Sequence, residues 1–155
     1  MQTFLPYPNF AASAKCLDNK RLGKQRVECK QILVALGVGV GEHHGNTGSS
    51  WRNHPAVRMW RGGELYLCEY AEFMCREWRD RGFRDSLLPQ FNEARQRCLA
   101  SKPIHHRPLW MGDEAFHASH RSNLLRKDAD YYSQFGWGEP DTLPYVWPVV
   151  EEVMA

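Results

Sequence analysis

The chain has 155 residues, of which 43% are hydrophobic, and its 20 Lys and Arg nearly balance its 18 Asp and Glu. This length predicts one compact domain, residues 1–155, with enough apolar material for a single core. The formal net charge of only +2 means that any surface for a polyanion must be local. The longest apolar-rich stretch, residues 65–78, is interrupted by charged residues, which excludes a membrane-spanning helix.

The cysteines and the N-terminus indicate a cellular compartment. Five cysteines lie at positions 16, 29, 68, 75 and 98, with no CxxC pair. This pattern is typical of reduced core thiols and argues against a disulfide framework or a structural zinc site. The first ten residues, MQTFLPYPNF, have neither the charged nor the apolar segment of a secretion signal. We therefore expect a cytoplasmic protein, and we expect it to be a monomer.

The first predicted elements are an extended arm and a long helix. Pro6 and Pro8 hold the arm open, and the helix begins near Asn9 or Ser13. Gly23 lies inside the helical pattern and is a candidate for a bend or break. The apolar residues expected to be buried by this helix are Leu17, Val27, Ile32, Leu33 and Leu36.

The remaining pattern is also helical, with no convincing strand pairs, so the predicted fold class is all-α. A flexible glycine-rich loop, residues 37–50, ends the first helix. The later predicted elements, in chain order, are a helix start at Asn53-His54-Pro55, a long amphipathic helix ending at Gly82, a helix capped by Ser86 and running to Ala100, a helix over 114–127 capped by Asp113, a short aromatic helix capped by Asp128, and an extended Pro-rich tail from Glu139.

Six basic residues stand against two acidic ones between residues 15 and 30, in the sequence KCLDNKRLGKQRVECK. A local positive charge on a helix favours a polyanion such as DNA over a small neutral substrate. A solvated helix face is the alternative. The chain's α-amino group lies near this segment, and an α-amine has a reference pKa of about 8. The residues assigned to DNA here are Arg21, Lys24, Gln25 and Arg26.

A second polar segment lies at residues 116–137, FHASHRSNLLRKDADYYSQFGW. Cationic and amide side chains can contact phosphates or bases, so we assign His117, His120, Arg121, Asn123 and Lys127 to DNA. The following aromatic residues are candidate stacking platforms for bases, with packing in the core as the alternative. These are Tyr131, Tyr132, Phe135 and Trp137.

The segment SWRNHP is a candidate second contact loop. Trp51 is suited to stacking on a base or wedging into the duplex, and Arg52 and His54 accompany it. The alternative interpretation is a helix-capping turn with Trp51 packed on the core. Both interpretations stay open at the level of sequence.

Seven histidines raise the question of a metal, but no HExxH or HxE…PCxxC pattern is present. We therefore predict neither a metal nor a cofactor. A metal-dependent nuclease or hydrolase built on His54, His117 and His120 remains an alternative.

Four segments, MQTFLPYPNF, LDNKRLGKQRVE, WRNHPAVRMW and FHASHRSNLLRKD, occur in an order and spacing that resemble the pyrimidine-dimer DNA glycosylases, in the bacterial and phage branch described as endonuclease V-like. The resemblance implies an all-α enzyme that flips a base of double-stranded DNA and attacks the sugar with its N-terminal amine. The resulting Schiff base permits AP-lyase activity by β-elimination.

The resemblance also implies site residues. The family's catalytic glutamate lies in the first basic helix, and in an ungapped match its position falls on Gly23, so Asp18 and Glu28 are the carboxylate candidates. Met1 precedes Gln2 and is expected to be retained as the nucleophile, with Lys20 as the fallback. Arg26 matches a phosphate-clamping arginine, and Arg21 matches another after a one-residue shift. A protein of the same fold that binds DNA without catalysis is the main alternative.

Overall fold

A computed structural model describes residues 1–43 and 50–148 of the chain. The helices in these residues are α1 (Phe10–Cys16), α2 (Asn19–Ala35), α3 (Pro55–Arg58), α4 (Glu64–Asp80), α5 (Leu88–Ser101), α6 (Glu114–Lys127) and α7 (Ala129–Tyr132). The only extended pairing in these two ranges is an isolated bridge between Val40 and His43. The predicted all-α class is confirmed. None of the helices so described has the length and apolar character needed to cross a membrane.

The long first helix predicted from the sequence is in fact two helices. Leu17 is extended, with φ −71° and ψ 139°. Asp18 caps α2, because its Oδ2 accepts from the N–H of Arg21 at 3.3 Å. The break therefore lies at Leu17, and α2 passes through Gly23 without interruption.

The core is built around α4, which packs against α1, α2 and α5. The apolar side predicted for α4 is confirmed, with Leu67, Tyr70 and Met74 fully buried. Val27 was predicted to be buried, and this prediction is wrong, because its side chain is 48% exposed. Val27 lies on the other side of α2 from the buried face that carries Leu22, Cys29, Ile32 and Leu33.

The ends of the helices test the predicted caps. Gly82 follows α4 with a positive φ of 93°, as predicted for a helix end. Ser86 was predicted to cap α5, and this prediction is wrong. The side chain of Asp85 takes that place and accepts from the N–H of Leu88 at 2.8 Å. Asp113 and Asp128 accept from main-chain N–H groups at the starts of α6 and α7, as predicted.

The tail runs over α6 without forming a helix as far as residue 148. Three α6 side chains hold its main chain: Ser119 Oγ accepts from Val146 at 3.1 Å, Ser122 Oγ accepts from Leu143 at 2.9 Å, and Asn123 Nδ2 donates to the Leu143 carbonyl at 3.0 Å. Residues 149–155 of the predicted tail and residues 44–49 of the predicted flexible loop lie outside the described residues. All five cysteines are buried free thiols, as predicted.

Candidate active site

The N-terminal arm is held by side chains that bind its main chain. The N–H of Gln2 donates to Oε2 of Glu28 at 3.2 Å. Gln25 donates from Nε2 to the Gln2 carbonyl at 3.0 Å and accepts at Oε1 from the N–H of Phe4 at 2.9 Å. Tyr70 donates to the Phe4 carbonyl at 2.7 Å. These contacts attach the start of the chain to α2 and α4.

Helix α6 holds the next part of the arm. The N–H of Leu5 donates to Nδ1 of His120 at 2.9 Å, and the Leu5 carbonyl lies 2.7 Å from Nδ1 of His117. Arg121 donates from Nη1 to the Pro6 carbonyl at 2.7 Å. Burial, helped by the neighbouring His117, lowers the pKa of His120 to about 3, and burial lowers the pKa of His117 as well. Both rings are therefore neutral at physiological pH.

An open cavity of about 270 Å³ lies beside Met1, between the arm, α2 and the tail. Its wall contains the Glu28 carboxylate and four cationic side chains. Tyr145, on the tail, closes another side, and burial raises the pKa of its hydroxyl to about 12, so it stays protonated. The cationic wall residues are Lys20, Arg21, Lys24 and Lys127.

Glu28 is the carboxylate that lies at the start of the chain. It is 8% exposed, and its Oε2 accepts from both Gln2 N–H and Gln25 Nε2, each at 3.2 Å. Its Oε1 faces Lys24 Nζ at 3.8 Å. One carboxylate oxygen is therefore committed to fixing the arm, and the other faces the cationic wall.

The alternative carboxylate, Asp18, has a structural task. It caps α2, pairs with Arg21 at 3.2 Å and accepts from the Tyr132 hydroxyl. Burial raises its pKa, but the hydrogen bonds from Tyr132 and Arg21 outweigh burial and hold that pKa below its usual value. Asp18 is therefore occupied in holding the fold together, and the choice of Asp18 or Glu28 as catalytic carboxylate stays a prediction.

Two residues of the basic segment that were assigned to DNA have structural partners instead. Arg26 lies on the far side of α2, where it binds Asp85 and stacks over the ring of Trp78 at 5.0 Å. Gln25 is 1% exposed and is occupied with the arm. Their assignment to DNA is corrected, because both side chains hold parts of the fold together.

Four of the five DNA contacts predicted on α6 are also corrected, while the fifth, Lys127, is exposed and lines the cavity. His117 and His120 are fully buried and Asn123 is 1% exposed, since they bind the main chains of the arm and the tail. Arg121 is 7% exposed and forms ion pairs with Glu139, at 2.6 Å, and Glu114. These polar side chains of α6 hold the N-terminal arm and the C-terminal tail.

The aromatic segment after α6 forms a packed cluster. Tyr132 is fully buried, and the ring of Trp137 stacks on it at 5.7 Å and on Phe135 at 5.2 Å. Tyr131 meets Tyr132 edge to face at 4.8 Å. The alternative given for these rings, packing in the core, is the arrangement found.

The SWRNHP segment forms the helix-capping turn of the alternative interpretation, but Trp51 is half-exposed, and contact with DNA stays a prediction. His54 Nδ1 accepts from the N–H of Ala56 at 3.0 Å and so caps α3. Trp51 is 47% exposed and meets the His54 ring at 5.8 Å, while Arg52 is also exposed. Burial and the positive N-terminus lower the pKa of His54, against the opposing effect of Glu28.

The residues that the tail brings to the cavity were not predicted from the sequence. Tyr145 lines it directly, and Trp147 links Tyr145 to His54 through ring contacts of 5.5 and 6.1 Å. The available signal was the pair of aromatic residues between prolines in PYVWP. A tail with no regular structure gives no periodicity from which its position could be predicted.

The histidines do not form the metal site of the alternative hypothesis. Both ring nitrogens of His117 are used, because Nε2 also accepts from the N–H of Gly112 at 2.9 Å. Within residues 1–43 and 50–148, no group of three or more His, Cys, Asp and Glu side chains is arranged to hold a metal ion. The geometry gives no support to a nuclease built on His54, His117 and His120.

Comparison with known proteins identifies a family. The family model described as pyrimidine dimer DNA glycosylase matches residues 1–90, which include the arm, the basic helix α2 and Glu28. No curated protein and no solved structure shows a significant match. The matched region covers more than half of the chain and ends before α6 and the tail.

Proposed function

The chain belongs to the pyrimidine dimer DNA glycosylase family, so it is a DNA-acting enzyme, and we propose that it excises a damaged pyrimidine from double-stranded DNA through an imine formed by the Met1 amine. The proposal includes AP-lyase activity as a second step. It needs neither metal nor cofactor, since the amine and the Glu28 carboxylate supply the reacting groups.

The hydrogen bond from Gln2 N–H to Glu28 Oε2, at 3.2 Å, is the observation that carries the proposal. It brings the first peptide unit to a carboxylate 26 residues away in the sequence. An α-amine is a better nucleophile at neutral pH than a lysine, because its reference pKa is about 8 and that of lysine is about 10.4. Met1 and Glu28 line one open cavity, which supports their proposed roles as nucleophile and proton-transfer group.

The proposed reaction needs no reactant other than the protein, the DNA and water. The Met1 nitrogen bonds to sugar C1′, and the glycosidic bond breaks with its electron pair going to the pyrimidine, which takes up a proton. The sugar ring opens to an imine. Loss of the C2′ proton then expels the 3′ phosphate by β-elimination, and water hydrolyses the imine to restore the amine. Glu28 Oε1, which faces the cationic wall, is the proposed proton-transfer atom.

The cationic wall is the proposed surface for the DNA backbone. Lys20, Lys24 and Lys127 are exposed and line the same cavity as Met1. Lysines that neutralise phosphates release counterions and make binding depend on salt. One monomer supplies the amine, the carboxylate and the cations, so we propose that a single copy acts on the duplex.

Borohydride trapping tests the proposal. Reduction of an imine should join the protein covalently to a duplex that contains an abasic site, and excision should be seen with a duplex that contains a pyrimidine dimer. A short N-terminal extension should abolish trapping while leaving binding intact, and Lys20→Ala should leave trapping largely intact. If the extended protein traps DNA normally and Lys20→Ala does not, Lys20 is the nucleophile.

A native protein that binds the duplex but traps none of it would instead favour the DNA-binding alternative. Absence of binding at low salt would overturn both interpretations.

A further inference from the structure

Two histidines of α6 occupy both main-chain groups of one arm residue. His120 Nδ1 accepts the N–H of Leu5 at 2.9 Å, and His117 Nδ1 donates to its carbonyl at 2.7 Å. The two rings therefore adopt opposite tautomers, with the Nδ1 proton present on His117 and absent from His120. His117 therefore cannot accept a hydrogen bond at Nδ1, and His120 cannot donate one from Nδ1. Leu5 is consequently held at one defined position.

The arrangement leaves a buried polar atom without a partner. With Nδ1 accepting, the proton of neutral His120 is on Nε2, and this nitrogen has no hydrogen-bond partner among the described residues. Its ring lies among Phe4, Phe116 and Tyr145, at ring distances of 6.3, 4.4 and 5.5 Å. Burying an unpaired donor is unfavourable, so such an atom calls for an explanation. The hydrogen bond from the Leu5 N–H to Nδ1 supplies that explanation, because it leaves the ring proton on Nε2.

The register of the arm determines where the amine lies. A slip of one residue along an extended segment moves every atom by about 3.3 Å, while a misplacement of 1 Å can reduce a reaction rate by about 100-fold. We propose that His117 and His120 are positioning residues that fix the register of the arm and thereby place the Met1 amine against Glu28. This proposal rests on the function proposed above.

Helix α6 suits this task because it also holds the tail, through Ser119, Ser122 and Asn123. The same helix thus places the nucleophile on one side of the cavity and Tyr145 on another. Arg121 adds a third contact to the arm at Pro6. The two ends of the chain are assembled into one site by the polar side chains of α6.

The test compares two substitutions of one histidine in the full-length protein. His120→Leu removes the acceptor and keeps an apolar side chain, whereas His120→Asn retains an acceptor close to the position of Nδ1. We would measure the borohydride trapping rate at saturating abasic duplex, the Kd for the same duplex and the thermal midpoint. His120→Leu should trap about 100-fold more slowly at unchanged Kd, and His120→Asn should recover most of the rate.

The matched control is Phe91→Leu, in the buried face of α5, a helix that packs on α4. It should lower the thermal midpoint without changing the trapping rate. If His120→Leu does not fold, His117→Ala and His117→Asn provide the same comparison at the Leu5 carbonyl, because the asparagine amide can replace the Nδ1 donor.

The possible failures are distinguishable. Trapping by His120→Leu at the native rate would overturn the positioning role alone, as would an asparagine variant no better than leucine, or rate and affinity falling together. A native protein that traps no DNA would overturn the proposed function, and the positioning role with it.

Discussion

Gly23 in α2 lies against the ring of Trp78 in α4, so closely that a Cβ on Gly23 would be 2.9 Å from two ring atoms. The ring is held in place, because Nε1 donates to the Arg84 carbonyl at 2.9 Å and Phe83 stacks on it at 4.2 Å. The position at which an ungapped match places the family's glutamate is therefore a contact between two helices, and a side chain there would meet the indole.

We expect Gly23→Ala to destabilise the protein. Overpacking against a fixed ring costs about 1–3 kcal/mol, and the better helix propensity of alanine offsets about 1 kcal/mol of it. The net loss in the free energy of unfolding should be about 1 kcal/mol, measured by urea denaturation. In a Trp78→Phe background the loss should shrink, because the smaller ring leaves room for the methyl group; equal losses in both backgrounds would contradict the packing argument.

Glu28→Gln should separate chemistry from binding. Glutamine can still accept from Gln2 N–H, so the arm stays in place, but it cannot transfer the proton. Excision and trapping rates should fall by about 100-fold or more, while the Kd for duplex DNA stays the same or decreases. The matched control is Glu77→Gln in α4, which replaces another i,i+4 ion-pair glutamate, partner of Arg81 at 3.1 Å. Activity lost equally in both variants would remove Glu28 from the chemistry.

Alanine substitutions should distinguish the cationic side chains that line the cavity from a cationic side chain that stabilises the fold. Lys20→Ala, Lys24→Ala and Lys127→Ala should each weaken binding to all duplex sequences alike and reduce the salt slope by about one unit. Arg26→Ala should leave that slope unchanged and lower stability, because Arg26 pairs with Asp85 instead of facing the cavity. Fluorescence anisotropy over a salt series measures this, and a reduced slope for Arg26→Ala would place DNA on the far side of α2.

Asp85 should contribute to acid sensitivity. Its side chain is fully buried, and although burial raises its pKa, the Leu88 N–H and Arg26 hold the pKa below the usual value of 3.8. Because the folded pKa is the lower one, its stabilisation is present above pH 3.8 and is lost as the pH falls through the folded pKa. Asp85→Asn should lose about 3 kcal/mol at pH 7 and show a flatter decline in stability as the pH falls below 3.8.

Denaturant unfolding at several pH values measures that decline. The exposed Asp80, at the end of α4, provides the control substitution Asp80→Asn, which should leave the decline unchanged. An unaltered acid decline in Asp85→Asn would show that other carboxylates govern it.

Local signals in the sequence were sufficient for much of the fold. The apolar periodicity of α4, its end at Gly82 and the caps at Asp113 and Asp128 depend on neighbours within a few residues. The break at Leu17 and the exposure of Val27 were not predicted. Both depend on which face of α2 meets α4, and that choice is made by contacts far apart in sequence.

Residue patterns were sufficient to predict the all-α class, the basic helix near an N-terminal amine, and the family. Only the folded chain shows that Glu28 accepts from the N–H of Gln2, because the arm has to fold back on α2 before the two residues can meet. Tertiary structure also decided that His117, His120 and Asn123 bind main chain inside the protein. The physical reason is that a polar side chain on a helix satisfies whichever partner lies opposite it, and the partners here are an arm and a tail without periodicity of their own.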